Sequence, residues 1–266
     1  MDNTSGMAIY GIERNNPEYI FEVGVLFFEI IGVSITASGY YKYREDRSEE
    51  DLDFIEVSLD DLRAAIRSGG ATSFRIFHEN KNGYLWGASF GYSTKDFGGF
   101  YHIDAQGYSS CLTQEKFIDY IDQFCTSGSM DYATFYYTGD VSEAMDYAAG
   151  QNLVKLYNFE SPSLFNRETG GRFQGLERYR NEKLRMVYPI NIINDAHLEL
   201  KVGELFLREW ILSEASHGSL ERMTENLWVW IVSGKNLEFV NNELGLEGVL
   251  VSWKPPRPNK LSKKIP

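Results

Sequence analysis

The sequence predicts an α+β fold: a mostly antiparallel sheet with helices packed on one face, followed by a smaller α+β section toward the C-terminus. Three observations predict it. Short runs rich in Val, Ile, Phe and Tyr recur between Gly and Asn turn signals, as strands require. Three capped stretches carry apolar residues at helical spacing. Aromatic residues make up 15% of the 266-residue chain and cluster in "GYYKY" (39–43) and "YATFYYTG" (132–139), which suits a pleated, half-buried surface.

Taken in order, residues 19–43 alternate loosely and are rich in β-formers, predicting two strands with a break near Gly32 or Gly39. In "SLDDLRAAIRSGG", Ser58 is a good N-cap with Asp61 three residues on. Leu59, Leu62 and Ile66 share one face, and Gly69 supplies the stop. "SFRIFHE", "YLWGASFGYS" and "GFYHIDAQGYS" read as three strands, the first turn marked by Asn82-Gly83. Thr113 caps a helix whose stripe is Phe117, Ile121 and Phe124. A strand over "DYATFYYTG" leads to a helix at 140–149, where Asp140 and Glu143 have capping-box spacing.

The pattern loosens after residue 150. Residues 151–185 scatter Pro, Ser, Asn and Gly among Arg and Glu and read as a connecting segment, which keeps four aromatic residues over 158–185. Regularity returns over 186–253. An extended piece before Pro189 comes first, then a short helix from Asn194, strands near 219–223 and 227–233, a helix at 235–244 and a strand over "GVLVSW". The expected division is therefore an N-terminal α+β domain (1–150), a connector (151–185), a C-terminal section (186–253) and a basic tail (254–266).

Charge narrows the partner. The net charge is −12, but the tail "KPPRPNKLSKKIP" holds five bases and no acid, leaving 21 bases against 38 acids over residues 1–253. Such a body repels nucleic acid and anionic lipid and draws basic proteins by long-range steering. Its densest acidic stretch is "REDRSEEDLD" (44–53), with Glu45, Asp46, Glu49, Glu50, Asp51 and Asp53. That stretch has two readings, a solvated linker and part of an interface. The tyrosines Tyr40, Tyr41, Tyr136 and Tyr137 also have two: sheet residues, or surface anchors of the kind enriched in interfaces.

Two cysteines give no disulfide framework and fit a reducing compartment. The N-terminus lacks a secretory pattern, and the most apolar run, 23–37, is too short to span a bilayer and contains Glu29. These features predict a cytoplasmic protein with no membrane association.

Reaction machinery is harder to find. None of His78, His102, His197 and His217 has a second His or Cys at ligand spacing, so no metal is expected. Phosphate-cradling glycine loops and a serine elbow are missing, and no cofactor is implied. Cys111 stands two residues before a helix start, where a thiolate would be stabilised, and an enzyme built on Cys111 with His78 or His102 is the main catalytic alternative. A second alternative is an acidic adaptor that competes with nucleic acid for a basic protein.

One resemblance bears on the choice. "VYPINIINDAHLEL", "LREWI" and "GSLERMTENLWVWIVSGKNLEFVNNELGLEGVLVSW", within 187–253, resemble the C-terminal part of bacterial immunity proteins encoded beside polymorphic or type VI-delivered toxins. The likeness lies in the Tyr188-Pro189-x-Asn191 turn, the His197-Leu198 pair and the Trp228-x-Trp230 strand, which are fold-forming features, and it carries over no functional residue. It implies a non-enzymatic protein whose partner is a cognate toxin domain, expected to be basic. The acidic stretch and the four tyrosines are then the candidate partner-binding residues.

Overall fold

The structure, a computed structural model, describes residues 4–43, 52–79, 86–97 and 99–255. It opens with strand β1 (Thr4–Tyr10), buried along its whole length. Helix α1 (Pro17–Ile31) follows, where the first of two strands was expected over 19–43; the second is a strand, at Ala37–Tyr43. The correction has a local cause. Asn16 caps the helix by accepting from the Glu18 N–H, Pro17 occupies the first turn, and Gly32 closes it at φ 73°. Ile20, Phe21, Gly24, Phe27, Phe28 and Ile31 then fall on one buried helical stripe, so tertiary burial overrides their strand preference.

The chain continues through β2 (Ala37–Tyr43), β3 (Leu52–Val57), α2 (Leu59–Arg67), β4 (Phe74–His78), β5 (Ala88–Ser93) and β6 (His102–Tyr108). Next come α3 (Gln114–Cys125), β7 (Tyr132–Thr138), α4 (Val141–Ala149) and α5 (Pro162–Glu168). The last section holds β8 (Ile190–Asn194), α6 (Asp195–Leu198), the hairpin β9 (Lys201–Val202) and β10 (Leu205–Phe206), and α7 (Leu207–Ser213). It ends with β11 (Ser219–Arg222), β12 (Leu227–Ile231) and α8 (Leu237–Leu246). The expected caps at Ser58, Thr113 and Asp140 each accept a backbone N–H of their helix. The expected strand "GVLVSW" is instead two isolated bridges, Leu184 with Leu250 and Glu160 with Trp253. The Asn82-Gly83 turn lies outside the described residues.

Among the described residues, ten strands form one antiparallel sheet in the order β11-β12-β8-β7-β1-β6-β5-β4-β2-β3. The α+β class and antiparallel sheet are as predicted. The layering differs. Helices α1, α2 and α3 cover one face over a core that includes Met7, Phe27, Phe90, Phe117 and Phe135. Helices α4 to α8 cover part of the opposite face over a second core that includes Tyr10, Tyr136, Tyr147, Trp210 and Trp230. Strand alternation explains this, because every second residue of β1 and β7 enters the other core. The C-terminal strands also extend the same sheet: β8 pairs with β7 through Ala133–Ile192 and Phe135–Ile190.

What positions the candidate site is a gap in the second layer. Helix α4 lies over β6, β1 and β7. Beyond its edge, the second face of β4, β2 and β3 lines a groove.

Candidate interaction site

Alternation decides which side chains reach this groove. Tyr41 and Tyr43 of β2, Leu52, Phe54 and Glu56 of β3, and Arg75 and Phe77 of β4 share the second face, and the registers Tyr41–Phe54, Gly39–Arg75 and Ala37–Phe77 bring them side by side. The cavity measures about 350 Å³ and is lined by Tyr41, Phe54, Phe77 and Trp86, with Met145 of α4 as its far wall.

The aromatic rings form a continuous ribbon. Trp86 stacks on Phe77 at 4.9 Å, Phe77 meets Phe54 at 5.7 Å, and Phe54 meets Tyr41 at 5.2 Å. Phe97 extends it, stacking on Tyr41 at 6.4 Å and on Tyr43 at 4.9 Å. Part of this ribbon is open to water: Tyr43 is 41% exposed, Leu52 41% and Phe54 39%. Exposed apolar area of this kind, contiguous and rimmed by polar groups, marks a surface that another molecule covers.

Beneath the rings lies a charged floor. Arg75 Nη1 and Nη2 donate to the two carboxylate oxygens of Asp104 at 2.6 and 2.7 Å, a bidentate pair that is almost wholly buried. Gln106 Nε2 donates to the same carboxylate at 2.9 Å. Gly91 makes this crossing possible, because a Cβ there would lie 2.3 Å from Arg75 Nη2. Burial alone would raise the Asp104 pKa, but the Arg75 charge and its hydrogen bonds hold it below the usual carboxylate range. Burial opposes the Arg75 charge too, and Asp104 overrides it, so the guanidinium pKa is raised. Among the described residues, Arg75 Nε has no hydrogen-bond partner.

The residues singled out in the sequence do not assemble into one patch. Tyr41 lies in the groove wall. Its neighbour Tyr40 turns to the first face and packs against that core. Asp53, in register with Lys42, alternates onto the same first face. Tyr136 is corrected outright: it is fully buried in the second core, its hydroxyl donating to Ala144 O at 2.8 Å, and it presents nothing to a partner. Tyr137 is 42% exposed, but on β7, five strand spacings from β2 and so about 24 Å away. Glu45, Asp46, Glu49, Glu50 and Asp51 lie outside the described residues.

Sequence reading missed Phe54, Phe77, Trp86 and Phe97. A signal existed for two of them. "DFIEV" and "FRIFH" each alternate, placing Phe54 with Glu56 and Phe77 with Arg75, but the pairing of those strands through β2 is not written in either segment.

The catalytic candidates occupy structural positions. His102 is buried and stacks on Phe100 at 4.4 Å, and burial pushes its pKa down to about 4. His197 caps α6, Nδ1 accepting from Asn194 N while Nε2 faces the carbonyls of Tyr179 and Lys183. Burial lowers its pKa to about 4 as well. His217 stacks on Trp210 at 3.7 Å with Nδ1 at 2.7 Å from Trp210 O, and His78 Nδ1 lies 2.7 Å from Ser34 O. Cys111 packs against the first core, whereas His102 belongs to the opposite face, so the sheet stands between them. Among the described residues, no group of three or more His, Cys, Asp or Glu is placed to hold a metal ion. No described helix is long and apolar enough to cross a membrane.

A second buried arginine belongs to the core. Arg185 is fully buried between the rings of Tyr147 and Phe165, 3.8 and 3.7 Å from their centroids, and donates to Tyr10 Oη at 2.9 Å. Tyr147 in turn donates to Glu160 Oε1 at 2.7 Å.

No family model matches this sequence, and no curated protein matches it. Among solved structures the chain is similar to the Pseudomonas aeruginosa T6SS protein PA0821. The two share 12% sequence identity with a TM-score of 0.56, and the match covers 97% of this chain and 77% of that one. At that identity the likeness is one of fold.

Proposed function

We propose that this protein is an immunity protein, which binds and occludes a secreted bacterial toxin acting in the cytoplasm. The observation that carries the reading is the second face of β4, β2 and β3, which no described helix covers. It is a ribbon of six rings with exposed members at its edge, in a chain of net charge −12. Rigid aromatic anchors are what interface hot spots are made of. Negative charge adds speed, since steered association with a basic partner reaches ~10⁸–10⁹ M⁻¹s⁻¹ at low salt. The fold likeness to a T6SS protein supports the same reading, as does the resemblance of residues 187–253 to immunity proteins. The acidic stretch 45–53 contributes negative charge to that steering.

Co-expression with the toxin domain encoded by the neighbouring gene tests it. The intact chain is expected to rescue growth and to co-purify with that domain. A Tyr41→Ser/Phe54→Ser variant, folded by circular dichroism, is expected to lose at least tenfold in affinity, in line with the ~2 kcal/mol or more that a hot-spot residue contributes. Failure of the intact chain to neutralise that domain would overturn the proposal.

A further inference from the structure

The groove has a chemistry that identifies what enters it. Its aromatic walls present π-faces, which carry negative partial charge. Glu56 and Glu79 stand exposed at its rim, and among the described residues neither is in an ion pair. Arg75 at the floor does not offset them, because its charge is already met by Asp104. The groove therefore attracts a cation. An anion finds no free charge there, because Asp104 neutralises the guanidinium and the remaining Arg75 Nε is itself buried from solvent.

From this we infer that the groove receives an arginine side chain projecting from the partner protein, its guanidinium on the Trp86–Phe77 wall between Glu56 and Glu79. Guanidinium suits the site better than ammonium, being planar, weakly hydrated and able to stack while donating in its own plane. A protein fits better than a small cation, because the groove runs on into the exposed Tyr43, Leu52 and Phe54, which a small ligand would leave in water. The inference rests on the immunity reading for the identity of the partner, though not for the chemistry of the groove.

Two experiments on the full chain separate these layers. The first titrates acetyl-Gly-Arg-Gly-amide against the protein at low salt, following the Trp86 indole N–H by NMR. Its controls carry citrulline, a neutral isostere, or glutamate in place of arginine. The arginine peptide is expected to bind at least tenfold more tightly than either control. Glu56→Gln/Glu79→Gln, two exposed isosteric changes that leave the fold intact, is expected to abolish that preference. Equal binding by the citrulline or glutamate peptide, no binding by the arginine peptide, or an unchanged preference in the glutamine variant would each overturn the inference. The second repeats the co-expression rescue with the same variant. Rescue by the intact chain and undiminished rescue by the variant sinks the arginine inference while the immunity reading survives. Arginine-selective binding without rescue by the intact chain sinks the immunity reading while the groove's chemistry stands.

Discussion

Under the groove, Arg75 and Asp104 are two charges removed from water, and each is tolerated only because the other is there. Asp104→Asn keeps the shape and removes the counter-charge. It is expected to lower stability by about 3–5 kcal/mol in urea denaturation at neutral pH, the usual cost of stranding one member of a buried pair. Arg75→Met/Asp104→Leu removes both charges and is expected to recover most of that loss. A double variant as unstable as the single one would mean that the Ser89 and Gln106 hydrogen bonds, rather than the ion pair, carry the stability. In the sequence, "SFRIFHE" and "YHIDAQ" each place one charge inside an otherwise strand-like run. Alternation shows which neighbours share each charge's face, but that the two meet across Gly91 follows from register, which neither segment contains. Tyr136 failed as a surface anchor for the same reason: its alternation was readable, but the face that α4 would cover was not.

The elements that were legible carried their own end signals. Asp140 and Glu143 form one half of the expected capping box at the start of α4, the Glu143 side chain reaching Gly139 N rather than Asp140 N. Asp140 Oδ1 accepts from Glu143 N at 2.8 Å, and Glu143 Oε2 accepts from Gly139 N at 3.0 Å. Asp140→Ala is expected to cost about 1 kcal/mol, read as a lowered urea midpoint. Because α4 supplies Met145 to the groove, loosening its first turn also tests how much of the site depends on that helix. Helix α1 had equally good signals in Asn16, Pro17 and Gly32, yet its aromatic and β-branched content spoke for strands. Periodicity over the full 15 residues outweighs composition there: positions 20, 24, 27, 28 and 31 are helical spacing and not alternation. Strand β1 went unread because it is buried on both faces and shows no alternation at all.

Across the whole molecule, one sheet runs through the boundary expected near residue 150, and the second core draws on both sides of it. Tyr10, Tyr132, Tyr136 and Tyr147 pack with Tyr179, Leu184, Val187 and Tyr188. Residues 1–150 expressed alone are accordingly expected to aggregate or remain partly unfolded. The complete chain is expected to unfold in one step, with tryptophan fluorescence and far-ultraviolet circular dichroism giving coincident transitions. Four of the five tryptophans lie after residue 200, so separate unfolding of the two sections would split the curves. The clamp around Arg185 also has a consequence for biogenesis. Its guanidinium reaches the Tyr10 hydroxyl across 175 positions of chain. On the ribosome, the tyrosine-rich half emerges long before the cation it is built around, and the edge of β7 waits for β8 during that interval. Maturation is thus tied to completion of translation: a stalled or truncated nascent chain displays an unfilled aromatic socket and an open strand edge, both of which chaperones and proteases recognise.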